Sequence, residues 1–497
     1  MTDDPPVPPE QDDALPPQPA APGPDPALWA AEASPETRQE TRVQTEPAWF
    51  GKRDDASEVP LPPPHEPITR EHERVWALDG LRGVAILGIL PANLPSFAYP
   101  TGPVGSSVNY AGGGVSEVAA HVVLGTLVDV KFITLFAFLF GVGIALQTAR
   151  AERSQALLSF RPYFVWRLAL LAGIGALHAV GLWYGDILFT YAGCGLAVFA
   201  LRSFVKVPAV FAALGIVGIC MTAGIFTLFG LASLNRNPDA PRDREALLAW
   251  ADGPEAGPRK FDMDDPLLET WVHRHGSYAD QVNWRAKFWL MLTMFVFLFY
   301  AWRLCGLMCL GVAAHEVGWI HEPPPKVLKI GLVVGFGLGI PLELAFAYGR
   351  LEAAEFSGGT LVDGLHYLSV VVLAAGYAAL CFSFSDARWK AWPLRPLANA
   401  GRMALTVYLS ESVLCTAIFY SWGLGYFGEP SRAQLWALTG VLWLVLLAGA
   451  TVWLTLFRMG PVEWAWRSLA TAELQPLLRR PQPSPSGYPE ADLKEGS

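Results

Sequence analysis

His178 and Asp186 close the two ends of the stretch His178-Ala-Val-Gly-Leu-Trp-Tyr-Gly-Asp186, a link too short to hold another element. A carboxylate beside an imidazole fixes its tautomer and stabilises its protonated form, which a general base requires. An interfacial His/Asp pair beside a Trp-Tyr belt is the structural alternative. Asp79 and Arg82 are three apart, so they share a helix face and neutralise each other. Otherwise Arg82 forks onto a phosphate or carboxylate. Asp129 and Lys131 are two apart and do not face each other on a helix, so each needs another partner. That partner is either a buried structural network or a substrate or proton site. His121, Arg303, Glu343, His366 and Glu411 also stand in apolar surroundings. Glu411 is flanked by Ser410 and Ser412, and Asp363 precedes His366. Together they imply a polar interior.

The elements that must carry these residues are apolar blocks of some twenty residues. Of the 497 residues 52% are hydrophobic and only 16% charged, with a mean hydropathy of +0.31. Soluble domains carry about 25% charge, and about 18 apolar residues suffice to cross a bilayer. This excludes an ordinary globular enzyme, a coiled coil and a nucleic-acid-binding module, and a net charge of -9 also argues against nucleic acid. The expected fold is an all-α polytopic membrane bundle of ten spans near 77–98, 119–147, 163–183, 186–202, 207–231, 288–313, 329–348, 363–384, 403–422 and 434–456.

Domain organisation follows from composition. Residues 1–74 form a proline-rich tail, with 17 of the 41 prolines between Pro5 and Pro67. Such a segment buries too little apolar surface to fold and is expected to be disordered, with no signal-peptide pattern. Residues 75–234 carry spans one to five, 235–287 a long hydrophilic loop with one or two short helices, 288–474 spans six to ten, and 475–497 a second disordered tail. Short loops on one side hold thirteen Lys/Arg and those on the other only Arg350 and Arg432. The basic loops are therefore expected in the cytoplasm with both termini, and the long loop outside. The cysteines lie in apolar blocks with no metal-ligand spacing, so no metal is expected.

Several motifs resemble the YeiB-like family of bacterial membrane proteins. They are Ala77-Leu-Asp-Gly-Leu-Arg-Gly through Asn93, Lys131-Phe132 with Leu139-Phe-Gly-Val-Gly, and the His178–Asp186 stretch. The C-terminal blocks Gly401-Arg-Met-Ala-Leu-Thr-Val-Tyr-Leu-Ser and Gly460-Pro-Val-Glu-Trp-Ala-Trp-Arg complete the set. The resemblance covers residues 75–475 and implies a bacterial inner-membrane protein. The first helix is also distantly similar to the transmembrane acyltransferase superfamily. In one branch of it an Arg is followed by a His near the outer helix end. Here Asn93 takes that place, and an amide cannot act as a base. In another branch an Asn stands there and a His precedes the second helix, roughly where His121 stands.

The resemblance implies acyl transfer from a cytoplasmic acyl-CoA to an envelope glycan or small-molecule acceptor at the outer face, beside membrane lipid. Acyl-CoA would be a co-substrate, with no bound cofactor; the oligomeric state is left open. Arg82 and Arg167 would draw the donor's phosphates. His178, oriented by Asp186, or His121 would serve as base. Asn93 and Lys131 would steady the oxyanion. The rival is a transporter with Asp129, Lys131, Glu343 and Glu411 along its path, and a third reading is a scaffold whose proline-rich tail binds partners.

Overall fold

The computed structural model describes residues 76–101, 114–232, 244–254, 256–257, 265–353 and 361–479. The proline-rich tail, residues 480–497 and the side chains of Arg350 and Asp363 lie outside the described residues. Within them every regular element is a helix, apart from one antiparallel bridge between Phe457 and Leu478.

The chain begins with α1 (Trp76–Ala98), which carries Pro91 and Pro95 in its second half. Next comes α2 (Val115–Val123), which widens into a π-helical turn over Leu124–Val128 and then breaks. At the break Val130 takes a φ of +62°, a left-handed conformation costly for a β-branched residue and held only by its surroundings. Beyond it run α3 (Lys131–Arg153), α4 (Leu157–Gly181), α5 (Leu188–Phe204) and α6 (Pro208–Ala232).

The described part of the hydrophilic stretch holds α7 (Arg244–Ala251) and α8 (Pro266–Arg274). Asp265 caps α8, accepting from the Leu267 and Leu268 amides, with Pro266 at the first turn where its missing N–H is harmless. A reciprocal Ser277/Asp280 capping box starts α9 (Tyr278–Phe295). Its start lies ten residues before the expected span at 288, because the cap decides the start and not hydropathy. A π turn joins α9 to α10 (Ala301–Glu316), followed by α11 (Pro325–Gly337), α12 (Gly339–Ala353), α13 (Leu361–Phe382) and α14 (Asp386–Lys390). The chain closes with α15 (Arg395–Arg402), α16 (Ala404–Phe419), α17 (Arg432–Leu456) and α18 (Pro461–Thr471).

Among the described residues eight helices are long and apolar enough to cross a membrane. The pair α15–α16, bent by 89°, adds a ninth if it counts as one span, and α5 is apolar but only 17 residues long. Each of the ten expected spans coincides with one of these segments. Leu290, Met294, Leu298, Val441, Leu444 and Val452 are exposed along these helices. In water such a surface would drive association; in a bilayer it faces acyl chains. The chain is a multi-pass membrane helix bundle. Inside, α10 packs on α3 and α6, α1 on α15 and α3, and α4 on α5, α9 and α18.

Candidate functional site

The last turn of α4 carries His178, whose carbonyl accepts from the amides of Leu182 and Trp183. The link then turns Asp186 back against the helix it has just left. Asp186 Oδ1 caps α5 by accepting from the Phe189 amide at 2.9 Å, and Oδ2 accepts from His178 Nδ1 at 2.9 Å. A Cβ on Gly175 would run into Asp186 and the Phe189 amide, so only glycine admits this approach. With the proton held on Nδ1, His178 Nε2 is the acceptor face. It receives the hydroxyl of Ser412, from the middle of α16, at 2.8 Å. All three side chains are buried. The result is an Asp–His–Ser relay in which carboxylate orients imidazole and imidazole faces a hydroxyl.

α16 is itself fixed from the side. Glu463 of α18 accepts from the amides of Leu405 at 2.7 Å and Thr406 at 3.0 Å, and from the Thr406 hydroxyl. These are orphan donors of a helix start, and an anion there is favoured by the helix dipole.

One turn before Ser412, Tyr408 packs its ring 5.0 Å from the His178 ring. The same Tyr408, with Ile187 and Leu188, lines the inner part of a cavity of about 710 Å³. The cavity also contacts the basic ends of the helices. Arg82, Arg150, Arg153, Arg167, Arg402, Arg458 and Arg467 line it, against three carboxylates, Asp79, Asp386 and Glu463. Asp79 lies 3.5 Å from Arg82, a weak pair whose arginine stays part-exposed. Arg167, ten residues into α4, is buried, donates to Gln147 Oε1 at 2.7 Å and stacks 4.2 Å above Trp466. Tyr163 is a further polar neighbour of this guanidinium, whose fork presents five N–H groups in all, the chemistry that suits a phosphate or carboxylate.

A second polar cluster gathers at the break before α3. Lys131 is fully buried and donates to Glu343 Oε2 at 2.5 Å and to the Gly125 carbonyl exposed by the π turn. Glu343 also receives the Ser369 hydroxyl and lies 3.0 Å from His366 Nδ1. Arg303 donates to the Tyr367 carbonyl and to Thr134 Oγ1, both at 2.6 Å. Lys131 therefore closes a helix break and neutralises a buried carboxylate.

A third buried group sits beyond the relay. Glu269 Oε2 accepts from the amide and hydroxyl of Thr101, both at 2.7 Å, and burial pushes its pKa up to about 7. One turn on, His273 donates from Nδ1 to the Glu269 carbonyl at 2.9 Å. Burial, helped by Arg285, drives its pKa down to about 3, so the ring stays neutral. It stacks on Phe427 and lies against Trp284 and Tyr420.

The residues singled out from sequence thus fall into separate places. His178 and Asp186 meet. Asp79, Arg82 and Arg167 share the cavity. Lys131 belongs to the Glu343 cluster, with Asp129 at the helix break beside it. Asn93 is half-buried on the far half of α1, four residues before Phe97, whose ring stacks on Trp183 at 4.2 Å. His121 is on α2, which packs on α12 and α17, away from the α4 contacts of His178. Glu411 is buried in α16 beside Ser412, with no hydrogen-bond partner for Oε1 among the described residues. Sequence reasoning noticed Ser412 only as a neighbour of Glu411; it lies 234 positions from His178, and no spacing signals that pairing. It also missed Glu269 and His273, although Asp265-Pro266 marks a capped helix start just before them.

These features define a polytopic bundle with a basic cavity leading toward a buried polar relay. Residues 314–473 match the family described as "Protein of unknown function (DUF418)". The chain is 30% identical over 412 residues to "Uncharacterized protein YeiB" of Escherichia coli, covering 82% of this chain and 99% of that protein. It is 29% identical over 422 residues to "Uncharacterized protein YxaH" of Bacillus subtilis, covering 83% and 98%. The chain belongs to the YeiB-like family. No solved structure matches it.

Proposed function

We propose that the protein transfers an acyl group from a cytoplasmic acyl-CoA to an acceptor at the outer face of a bacterial inner membrane. One observation carries the reading. The arginine-lined cavity reaches Tyr408, and Tyr408 packs on His178. Seven arginines suit the phosphates of CoA, and a volume of about 710 Å³ suits a cofactor-sized ligand. The thioester would lie near Tyr408, and the relay would supply the base. The orientation rests on the basic short loops, which favour the cytoplasm. The acceptor would be an envelope glycan or small molecule approaching from the other end.

The test is CoA release by purified protein in vesicles holding envelope extract, with acetyl-CoA outside or inside. Release that depends on both donor and extract supports the reading; no release with any donor overturns it. A reporter fused after Gly253 should read outside and one after Ser154 inside. The opposite pattern would put the arginines on the wrong side for CoA.

A second reading, transport, is favoured by the Lys131–Glu343–His366 cluster at a broken helix, because ionisable groups at such breaks line many ion pathways. Proton-coupled uptake with no CoA release would select it.

A further inference from the structure

The general-base assignment leaves an imidazole with nothing to deprotonate except a side chain of its own protein. Both nitrogens of His178 are taken: Nδ1 by Asp186 and Nε2 by the Ser412 hydroxyl. An acceptor could reach Nε2 only by displacing that serine. The hydroxyl's other contact is weak, a 3.4 Å approach to the Tyr408 carbonyl. Serine in the helix interior ordinarily bonds back to the carbonyl four residues earlier, as Thr416 does to Ser412 at 2.7 Å. Ser412 instead spends its best hydrogen bond on an imidazole that a carboxylate orients, the arrangement that turns a hydroxyl into a nucleophile. Position agrees. Ser412 stands one turn beyond Tyr408, the side chain of α16 that lines the basic cavity, and is itself buried behind it, so a thioester drawn into the cavity would reach this hydroxyl past the Tyr408 ring.

Resting on the acyl-transfer reading, we infer that Ser412 is a covalent acyl carrier, taking the acyl group from the thioester and passing it to the acceptor. In the first half-reaction Ser412 Oγ attacks the thioester carbonyl carbon. A C–O bond forms, the C–S bond breaks, and the serine proton passes to His178 Nε2 and on to the leaving sulfur, releasing CoA as the thiol. In the second, the acceptor hydroxyl or amine attacks the serine ester. Its proton goes to Nε2, the new bond to the acyl carbon forms, the ester C–O bond breaks, and the proton returns to Ser412 Oγ. Asp186 neutralises the imidazolium in both halves. No oxidant, reductant or metal enters. A covalent carrier also lets donor and acceptor occupy the site in turn from opposite ends of the bundle.

The experiment incubates the full-length protein in vesicles with acetyl-CoA labelled in the acetyl group, without acceptor, then denatures it. Label should remain on the chain, mass spectrometry should locate it on Ser412, and S412A should reduce it to background. S412C should retain label as a thioester cleaved by neutral hydroxylamine, which guards against S412A merely failing to fold. In parallel, a small fluorophosphonate should modify Ser412 in wild type and at least about 100-fold more slowly in H178Q, a readout of serine activation that needs no acyl-CoA. Wild-type CoA release in folded S412A, or label on another residue, would overturn the carrier while leaving acyl transfer standing. Absence of CoA release from any donor would overturn the acyl-transfer reading and, with it, the carrier. Fluorophosphonate labelling independent of His178 would overturn the relay.

Discussion

Gly83 of α1 packs directly on the carbonyl oxygen of Leu397 in α15, and a Cβ at that position would overlap it. Gly401 returns the contact from α15 onto the Asp79 carbonyl. The two helices meet backbone to backbone, a close approach that small residues permit in membrane interiors. The Asp79-Gly-Leu-Arg-Gly83 signature is therefore a packing device as well as a chemical one. Gly80 seats the Trp389 ring of α14 and Gly83 seats α15, fixing the corner from which α16 carries Tyr408 and Ser412 inward.

Gly83→Ala should lower the melting temperature in detergent by several degrees, since forcing a methyl into a packed contact costs about 1–3 kcal/mol. Gly143→Ala is the matched control. It is also a helix glycine, but its added Cβ would meet nothing closer than Gln147 at 4.0 Å. It should leave stability unchanged or slightly raised. Equal losses in both variants would show that the α1–α15 contact is not what makes Gly83 intolerant of a side chain, since Ala is the better helix former at both positions.

Hydropathy made the bundle legible, because a bilayer asks only for apolar length. It also brought out the His178–Asp186 pair, whose members are close in sequence. It could not place Lys131. A lysine near the start of an apolar run looks available for chemistry until a π turn and a left-handed Val130 are seen to need its ammonium at the Gly125 carbonyl. Nor could it reach Ser412, whose meaning depends on a helix brought in from 234 positions away. In the sequence Arg82 and Arg167 read as ligands for donor phosphates and Arg150, Arg153, Arg402, Arg458 and Arg467 as loop charges that set orientation; only folding gathers them around one space.

Arg167→Lys keeps the charge but loses the fork and the stack on Trp466. Affinity for CoA, measured by titration calorimetry on the purified protein, should fall about tenfold, which corresponds to about 1.4 kcal/mol. Wild-type affinity should also weaken as salt is raised from low to physiological strength. Unchanged CoA binding in this variant would remove Arg167 from the donor site.

Glu269 and His273 should give opposite pH signatures. The carboxyl titrates near 7 when folded and near 4.5 when unfolded. The folded state thus binds more protons between those values, and its contribution to stability falls as pH rises through that window. The imidazole titrates near 3 when folded against 6.5 when unfolded, so its contribution falls as pH drops from 6.5 toward 3. In the overlap the two slopes offset each other. Glu269→Gln should therefore make the melting temperature rise between pH 4.5 and 6.5, and His273→Gln should make it fall. The amplitude for Glu269 is at most about 3 kcal/mol. Parallel slopes in the two variants would contradict the burial of one of them.

His178→Ala and Asp186→Asn should each reduce CoA release by about 10²–10⁴-fold, and the double variant should be little worse than either. Asparagine still accepts from the Phe189 amide, so the α5 cap survives and stability should change little. What is lost is the carboxylate that keeps the proton on Nδ1. If the two losses multiplied, the residues would be acting separately. His121→Ala, on a helix packed mainly against α12 and α17, should leave CoA release within a few-fold of wild type.

The last prediction separates a structural ion pair from a transport path. Lys131→Met leaves Glu343 buried without its cation, and breaking a buried pair from one side costs about 3–5 kcal/mol. Lys131→Met combined with Glu343→Gln removes both charges, and the new amide can still accept from Ser369 and donate to His366. Replacing a buried pair by neutral groups is often near neutral for stability. The double variant should therefore melt close to wild type, the single one well below it. If the pair only closes the α2–α3 break, CoA release should recover with stability. If Lys131 and Glu343 carry protons or substrate, the double variant should melt normally yet lose proton-coupled uptake in vesicles. Recovered folding with recovered CoA release is the outcome expected here, because the Lys131 ammonium is already committed to the Gly125 carbonyl and to Glu343.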